Sequence, residues 1–269
     1  MASELVEHLV PDRLWELFQR VVPPAPTRPQ GGGRRRSHGD REVLAAIVFV
    51  ATSGCTWNQL PPGFGPSGVT AFRRFTEWSE ARVWAKLHRL VLDELGGQGE
   101  LDWSRCAIDS VSVRAVKGTL TGPNPTDRGK SGSKIHLIVD RNGLPLSIGI
   151  SGANLHDSQA LEPLVRGIPP IRSRRGPRRR RPTTLHGDKG YDYSHLRRWL
   201  RTRGIIPRIA RRGVESSHHL GRHRWVVERS IAWLSGCRRL HRRYERKASH
   251  FLAFTALAAT LICYRRLPK

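Results

Sequence analysis

Cysteine and acid are both scarce in this 269-residue chain: Cys55, Cys106, Cys237 and Cys263 stand scattered, and 22 Asp plus Glu face 47 Lys plus Arg. No Cys-x-x-Cys pair occurs, which argues against a structural zinc site and against a disulfide framework. Long apolar runs are missing too. The longest, Phe251 to Cys263, is too short to span a bilayer and holds two threonines, so it reads as a buried helix. The opening residues, MASELVEHLVPDRLW, place acids early and no apolar run before a cleavage site, which is not a signal-peptide pattern. Neither a basic amphipathic helix nor a lipid-anchor motif accompanies the charge, so a membrane surface is not the expected partner. The expected compartment is reducing and aqueous: cytoplasm, with nucleoid DNA within reach.

What the chain has in excess is positive charge, a formal +25 at neutral pH. Such a field costs stability through self-repulsion, and an enzyme of small metabolites has no use for it. A polyanion offsets the repulsion, and nucleic acid is the commonest one. Hydrophobic residues at 38% suffice to fill a core, so wholesale disorder is not expected.

The pattern changes character near the GGQGE run at 96–100. Before it the reading is all-α: a helix over 11–22, a basic breaker-rich arm over 23–40 carrying GGGRRR, and an apolar helix from Arg41 to Ser53 stopped by Gly54. Ser67 caps a further helix through Trp78, with Phe72, Phe75 and Trp78 inward and Thr70, Arg73 and Arg74 outward. Ala81 to Leu95 makes another. This helix–turn–helix-like order suits major-groove binding, and Thr70, Arg73 and Arg74 are candidate DNA contacts. After the run, CAIDSVSVRAV, KIHLIVD and LPLSIGIS alternate as strands, and Arg141-Asn142-Gly143 makes a tight hairpin turn between the last two. His156-Asp157-Ser158 opens a helix, RSRRGPRRRRP is a basic loop, and TTLHGDKG is a strand entering a turn. Ser194 to Arg203 is helical, IIPRIA is a strand, and the chain is helical from about Arg222 almost to its end. Three antiparallel strands, helix, strand, helix, strand and helix make an α+β fold with a mixed sheet, matching a ribonuclease H-like outline. The expected division is a helical DNA-binding part over 1–98 and a catalytic part over 101–269.

With so few acids, carboxylates in unexpected places carry information. Asp109 lies mid-strand, where a charge is costly unless paired or metal-bound. Asp188 ends an apolar strand between Gly187 and Gly190, a place where sheets of this kind bind ligands. Asp192 leads into a helix and reads as a cap. At about 100° per residue, Val227, Ser230, Ile231, Leu234 and Cys237 form one helical stripe, and Glu228 lies nearly opposite. Glu228 and Glu245 are equal candidates for a third carboxylate on residue type alone. Carboxylates held together by a sheet suit two divalent ions about 4 Å apart, the arrangement that transfers phosphodiesters. His156, His186 and the His218-His219 pair have no acid or thiol at zinc-ligand spacing.

The runs AIDSVSVRA, GPNPTDRGKSGSKIHLIVDRNGLPLSI, SGANLHDSQALEPL, HGDKGYDY and RWVVERSIAWLSGCRRLHRRYE resemble the DDE-type transposases of bacterial insertion sequences, and most closely the insertion-sequence-five group. TSGCTWNQLPPGF followed by TAFRRFTEW resembles the helical part at the front of the same proteins, so the resemblance spans nearly the whole chain. It implies a ribonuclease H-like core with a catalytic, metal-holding triad of Asp109, Asp188 and Glu228, and prefers Glu228 to Glu245. The expected cofactors are two Mg²⁺ or Mn²⁺ ions. The expected partners are double-stranded DNA, as terminal inverted repeats and target, and a second copy of the chain in a homodimer. The related insertion-sequence-four group carries a Tyr, Arg, Glu, Lys signature. Arg224 and Glu228 match it, whereas Gly221 and Ser235 stand at the Tyr and Lys positions, leaving Arg238 or Arg239 to substitute. Lys134, Lys189 and Arg224 are further candidate phosphate contacts. The implied activity is cleavage at element ends and joining of the 3′-hydroxyl to target DNA. The competing readings are a non-catalytic DNA-binding derivative and a nuclease of the same fold without strand transfer.

Overall fold

The computed structural model describes residues 2–24, 38–211, 213 and 217–268, with side chains at 2, 3 and 217–224 set aside. Most of the expected basic arm at 23–40 lies outside the described residues. Five helices come first: α1 (Ala2–Leu9), α2 (Asp12–Gln19), α3 (Asp40–Ser53), α4 (Gly68–Glu80) and α5 (Val83–Gln98). Gly54 ends α3 in the left-handed conformation at φ 76°, and the Ser67 hydroxyl accepts from the Thr70 amide at 3.2 Å to start α4. Helix α1 was not read from the sequence.

The second part runs β1 (Arg105–Ala115), β2 (Gly122–Pro123), β3 (Ser131–Val139), β4 (Pro145–Gly152), α6 (Ser158–Gly167), β5 (Thr184–Gly187), α7 (Ser194–Thr202), β6 (Ile206–Ile209), α8 (Ser217–Ser235), β7 (Arg242–Arg243) and α9 (Ala248–Tyr264). Strands β1, β3 and β4 pair antiparallel, while β5 lies parallel to β1 and β6 parallel to β5. The resulting path β4-β3-β1-β5-β6 is the mixed, ribonuclease H-like arrangement expected from the order of elements. The β3–β4 turn is the tight hairpin expected at Arg141-Asn142-Gly143. The Gly143 amide donates to the Asp140 carbonyl at 3.1 Å, and Gly143 alone takes positive φ, at 86°. That is a type I turn followed by a left-handed glycine.

Helix α9 is apolar nearly all round and buried along most of its length, as expected of a helix with core on every side. It packs against α3, α4, α5, α8 and β4. The Phe254 ring stacks on Phe75 of α4 at 4.4 Å between centroids and tilts against Trp57 at 6.0 Å. His88 of α5 hydrogen-bonds the Pro145 carbonyl at 2.9 Å. The helical part and the sheet part therefore meet in one continuous core.

Two local expectations need correction. On α4 the buried stripe is Ala71, Arg74, Phe75 and Trp78, the i, i+3, i+4, i+7 series, so Arg74 is inward and Phe72 outward. The Arg74 guanidinium pairs with Asp40 and Glu77 and lies over the Trp78 ring. The helix expected from Arg222 onward is interrupted after Ser235 by a turn and by β7, because Arg243 is buried there, donating to the carbonyls of Thr119, Leu120 and Glu245 and to the Ser133 hydroxyl. Asp192, just before α7, accepts at Oδ1 from Arg197 Nε in the first turn of that helix at 2.9 Å.

Candidate active site

Parallel pairing of β1 with β5 sets Ala107 opposite His186. Two residues further along each strand stand Asp109 and Asp188. Side chains alternate along a strand, so Asp109 faces the same side of the sheet as Ala107, while Asp188 stands one residue past the end of β5 on extended backbone. Along β3 and β4 the Asp109 row continues as Leu137 and Ile148. The neighbouring row, Ser110, His136 and Gly149, faces the other way, since a Cβ on Gly149 would touch Leu164 of α6. Asp109 thus looks away from α6, towards the side where α8 and α9 pack together. The Asp109 carboxylate accepts from the Ser110 amide at 2.8 Å. The Asp188 carboxylate accepts from the Gly190 amide at 2.9 Å, and a Cβ on Gly190 would stand 2.9 Å from that same oxygen.

Helix α8 packs on β1, β3 and β5 through Val226, Val227, Ser230 and Leu234, all buried. The Ser230 hydroxyl donates to the Gly143 carbonyl at 2.7 Å, and Arg229 donates to the Asn142 carbonyl at 2.7 Å. Glu228 is exposed beside this seam, close to where the helical period placed it. Among the described residues, no three His, Cys, Asp or Glu side chains gather closely enough to hold a metal ion. Asp109, Asp188 and Glu228 therefore do not form such a group in this structure. Glu245, the competing carboxylate, is buried and bonded to Arg239 at 2.8 Å.

The candidate DNA contacts divide by exposure. Arg73, Lys189 and Arg238 are exposed, and Thr70 is half-buried with its hydroxyl 3.1 Å from that of Ser67. Arg224 lies on α8, with its side chain outside the description. Arg74 and Arg239 are both 6% exposed and held in ion pairs, which removes them as surface contacts. Lys134 is turned inward as well, donating to the Leu155 carbonyl at 2.8 Å and to Asp157 at 3.0 Å. In the basic loop after α6, Arg178 is tied to Asp93 at 2.7 Å, and most of its neighbours face solvent.

Burial sets the protonation of groups around the site. His136, bonded to the Ser151 hydroxyl at 2.7 Å, is pushed down to about 4 by burial. Burial pushes Asp140 up to about 6 even though three backbone amides, of Asp102, Asn142 and Leu144, donate to it. Asp157 is the residue that motif reading passed over. The available signal was a helix-opening aspartate in the sequence NLHDSQA.

The strand order and the mixed pairing define a ribonuclease H-like fold. Residues 104–263 match the transposase DDE domain family, and residues 10–88 match a putative transposase family of the IS4/5 type. The chain belongs to the DDE transposases. It is 50% identical over 147 residues to a putative transposase for insertion sequence element IS402 of Burkholderia cepacia, covering 55% of this chain and 70% of that protein. An uncharacterized 16.2 kDa protein of the same element is 37% identical over 123 residues, covering 45% of this chain and 84% of that one. Among solved structures, the Mos1 strand transfer complex overlaps 90% of this chain and 82% of its own at 10% identity and a TM-score of 0.26, too loose a match to argue from. No helix among the described residues is long and apolar enough to cross a membrane.

Proposed function

We propose that the protein cuts DNA at the ends of an insertion sequence and joins the freed 3′-hydroxyl to target DNA, using Asp109, Asp188 and Glu228. What supports this reading is the parallel pairing of β1 with β5, with Asp109 and Asp188 each two residues beyond the Ala107–His186 pair. An all-oxygen donor set fits hard divalent cations, and the three residues would hold two Mg²⁺ or Mn²⁺ ions. Such ions, when bound, activate an attacking oxygen and stabilise charge on a leaving one. In the first step a water oxygen forms a bond to phosphorus and the 3′-oxygen leaves. In the second that 3′-oxygen attacks a target phosphodiester in line, and a target 3′-oxygen leaves. Asp109 is the central ligand, with Asp188 beside it on the neighbouring strand. Glu228, exposed on α8, would be the third ligand. Arg73 and Thr70 on α4 read the terminal repeats, while Lys189, Arg224, Arg238 and the loop after α6 hold phosphates of any sequence. Two chains pair the two ends.

The test is cleavage of end-containing duplex by the full chain. Alanine at Asp109, Asp188 or Glu228 is expected to reduce cleavage to background while DNA affinity stays within about twofold, because phosphate contacts supply affinity. Mg²⁺ or Mn²⁺ should support cutting, and Ca²⁺ binding only. Cleavage in EDTA would sink the mechanism, and an alanine variant that cuts normally would remove that residue from the site.

A further inference from the structure

At the start of α6 stands an aspartate that does not cap its helix. An Asp in that place usually accepts from first-turn amides, a bond worth about 1 kcal/mol, yet Asp157 makes no such bond. Its Oδ1 accepts instead from the Ser110 hydroxyl at 2.8 Å and from Lys134 Nζ at 3.0 Å. The Lys134 ammonium is fixed from a second side by the Leu155 carbonyl, and its side chain is only 13% exposed. With the Asp157 side chain 33% exposed, the pair adds at most about 1 kcal/mol of stability, so its placement points to another use. Ser110 is the residue after Asp109, and its amide donates to the Asp109 carboxylate. The two side chains leave opposite faces of β1. The network on the α6 side therefore reaches the carboxylate side through one shared peptide unit.

We infer that Asp157, held by Lys134, is a positioning residue that fixes Ser110, and that the Ser110 amide in turn holds the Asp109 carboxylate in its ligating orientation. The inference rests on the reading of Asp109 as a metal ligand. Partners that orient a ligand through a hydrogen bond typically change metal affinity by about 10- to 100-fold when removed.

The experiment uses the full chain bound to end DNA and reads Mn²⁺ binding by electron paramagnetic resonance, separately from cleavage, with thermal melting as the control for folding. Asp157→Asn and Lys134→Met are expected to raise the Mn²⁺ concentration for half-saturation about tenfold, with cleavage shifting in parallel and DNA affinity unchanged. Lys134→Arg should recover part of the loss. Ser110→Ala removes a single hydroxyl and carries the test if either charge variant fails to fold. Wild-type Mn²⁺ affinity in folded variants overturns the inference alone, including the case where only the melting temperature falls. A wild-type chain that neither binds Mn²⁺ nor cuts overturns the proposed function, and this inference with it.

Discussion

Arg239 and Glu245 lie 2.8 Å apart with side chains only 7% and 5% exposed, and Arg239 also donates to the Cys55 carbonyl at 3.0 Å. Removing one partner of such a pair strands the other charge, at a cost of about 3–5 kcal/mol. Glu245→Ala is therefore expected to lower the melting temperature markedly, and any loss of cleavage would follow from unfolding rather than from chemistry. Calorimetry of the variant checks this, and an unchanged melt would contradict the pairing. Arg74→Ala should behave the same way. Arg73→Ala should leave melting alone but weaken discrimination of end DNA from random duplex in competition binding, and equal discrimination would move end reading off α4. The difference between these neighbours was legible in part. Ala71, Phe75 and Trp78 already put Arg74 on the buried stripe, whereas the inward turn of Arg239 depends on a carboxylate beyond the break in the helix, which spacing alone does not reveal.

Strand alternation in AIDSVSVRA and the glycines around Asp188 were enough to find both strands and both aspartates. Their register was not legible, because pairing between segments so far apart is set by how the whole sheet closes. The helical period placed Glu228 on the open face of α8, and only family resemblance separated it from Glu245 beforehand. Geometry adds a handle that neither source supplied. Gly190 has room for no side chain without crowding the Asp188 carboxylate, whose oxygen would lie 2.9 Å from a Cβ. Gly190→Ala is expected to slow cleavage by up to about a hundredfold, the scale on which small misplacements act, while melting stays near wild type. Full activity in that variant would show that the Asp188 carboxylate tolerates displacement.

Across the whole molecule, buried histidines set the response to acid. His88 and His136 are both held down to about 4 by burial, whereas an unfolded chain protonates them near its ordinary value of about 6.5. Between those limits the unfolded state binds more protons, so stability falls as pH falls from about 6.5 towards 4. Asp140, raised to about 6, acts with the opposite sign between its ordinary value and 6, one group against two. Thermal melts should therefore show a lower transition at pH 4.5 than at pH 7, and an equal or higher one would contradict the neutral burial of the histidines. The position of α9 has a consequence of another kind, in the order of synthesis. That helix leaves the ribosome after every element it packs against, so α3, α4 and α5 emerge with an apolar side that nothing yet covers. A chain stalled before Ala248 holds those helices open to chaperones and proteases, and α4 gains its final support only when translation has passed the sheet. Synthesis itself thus delays the closing of the helical part until the sheet is already made.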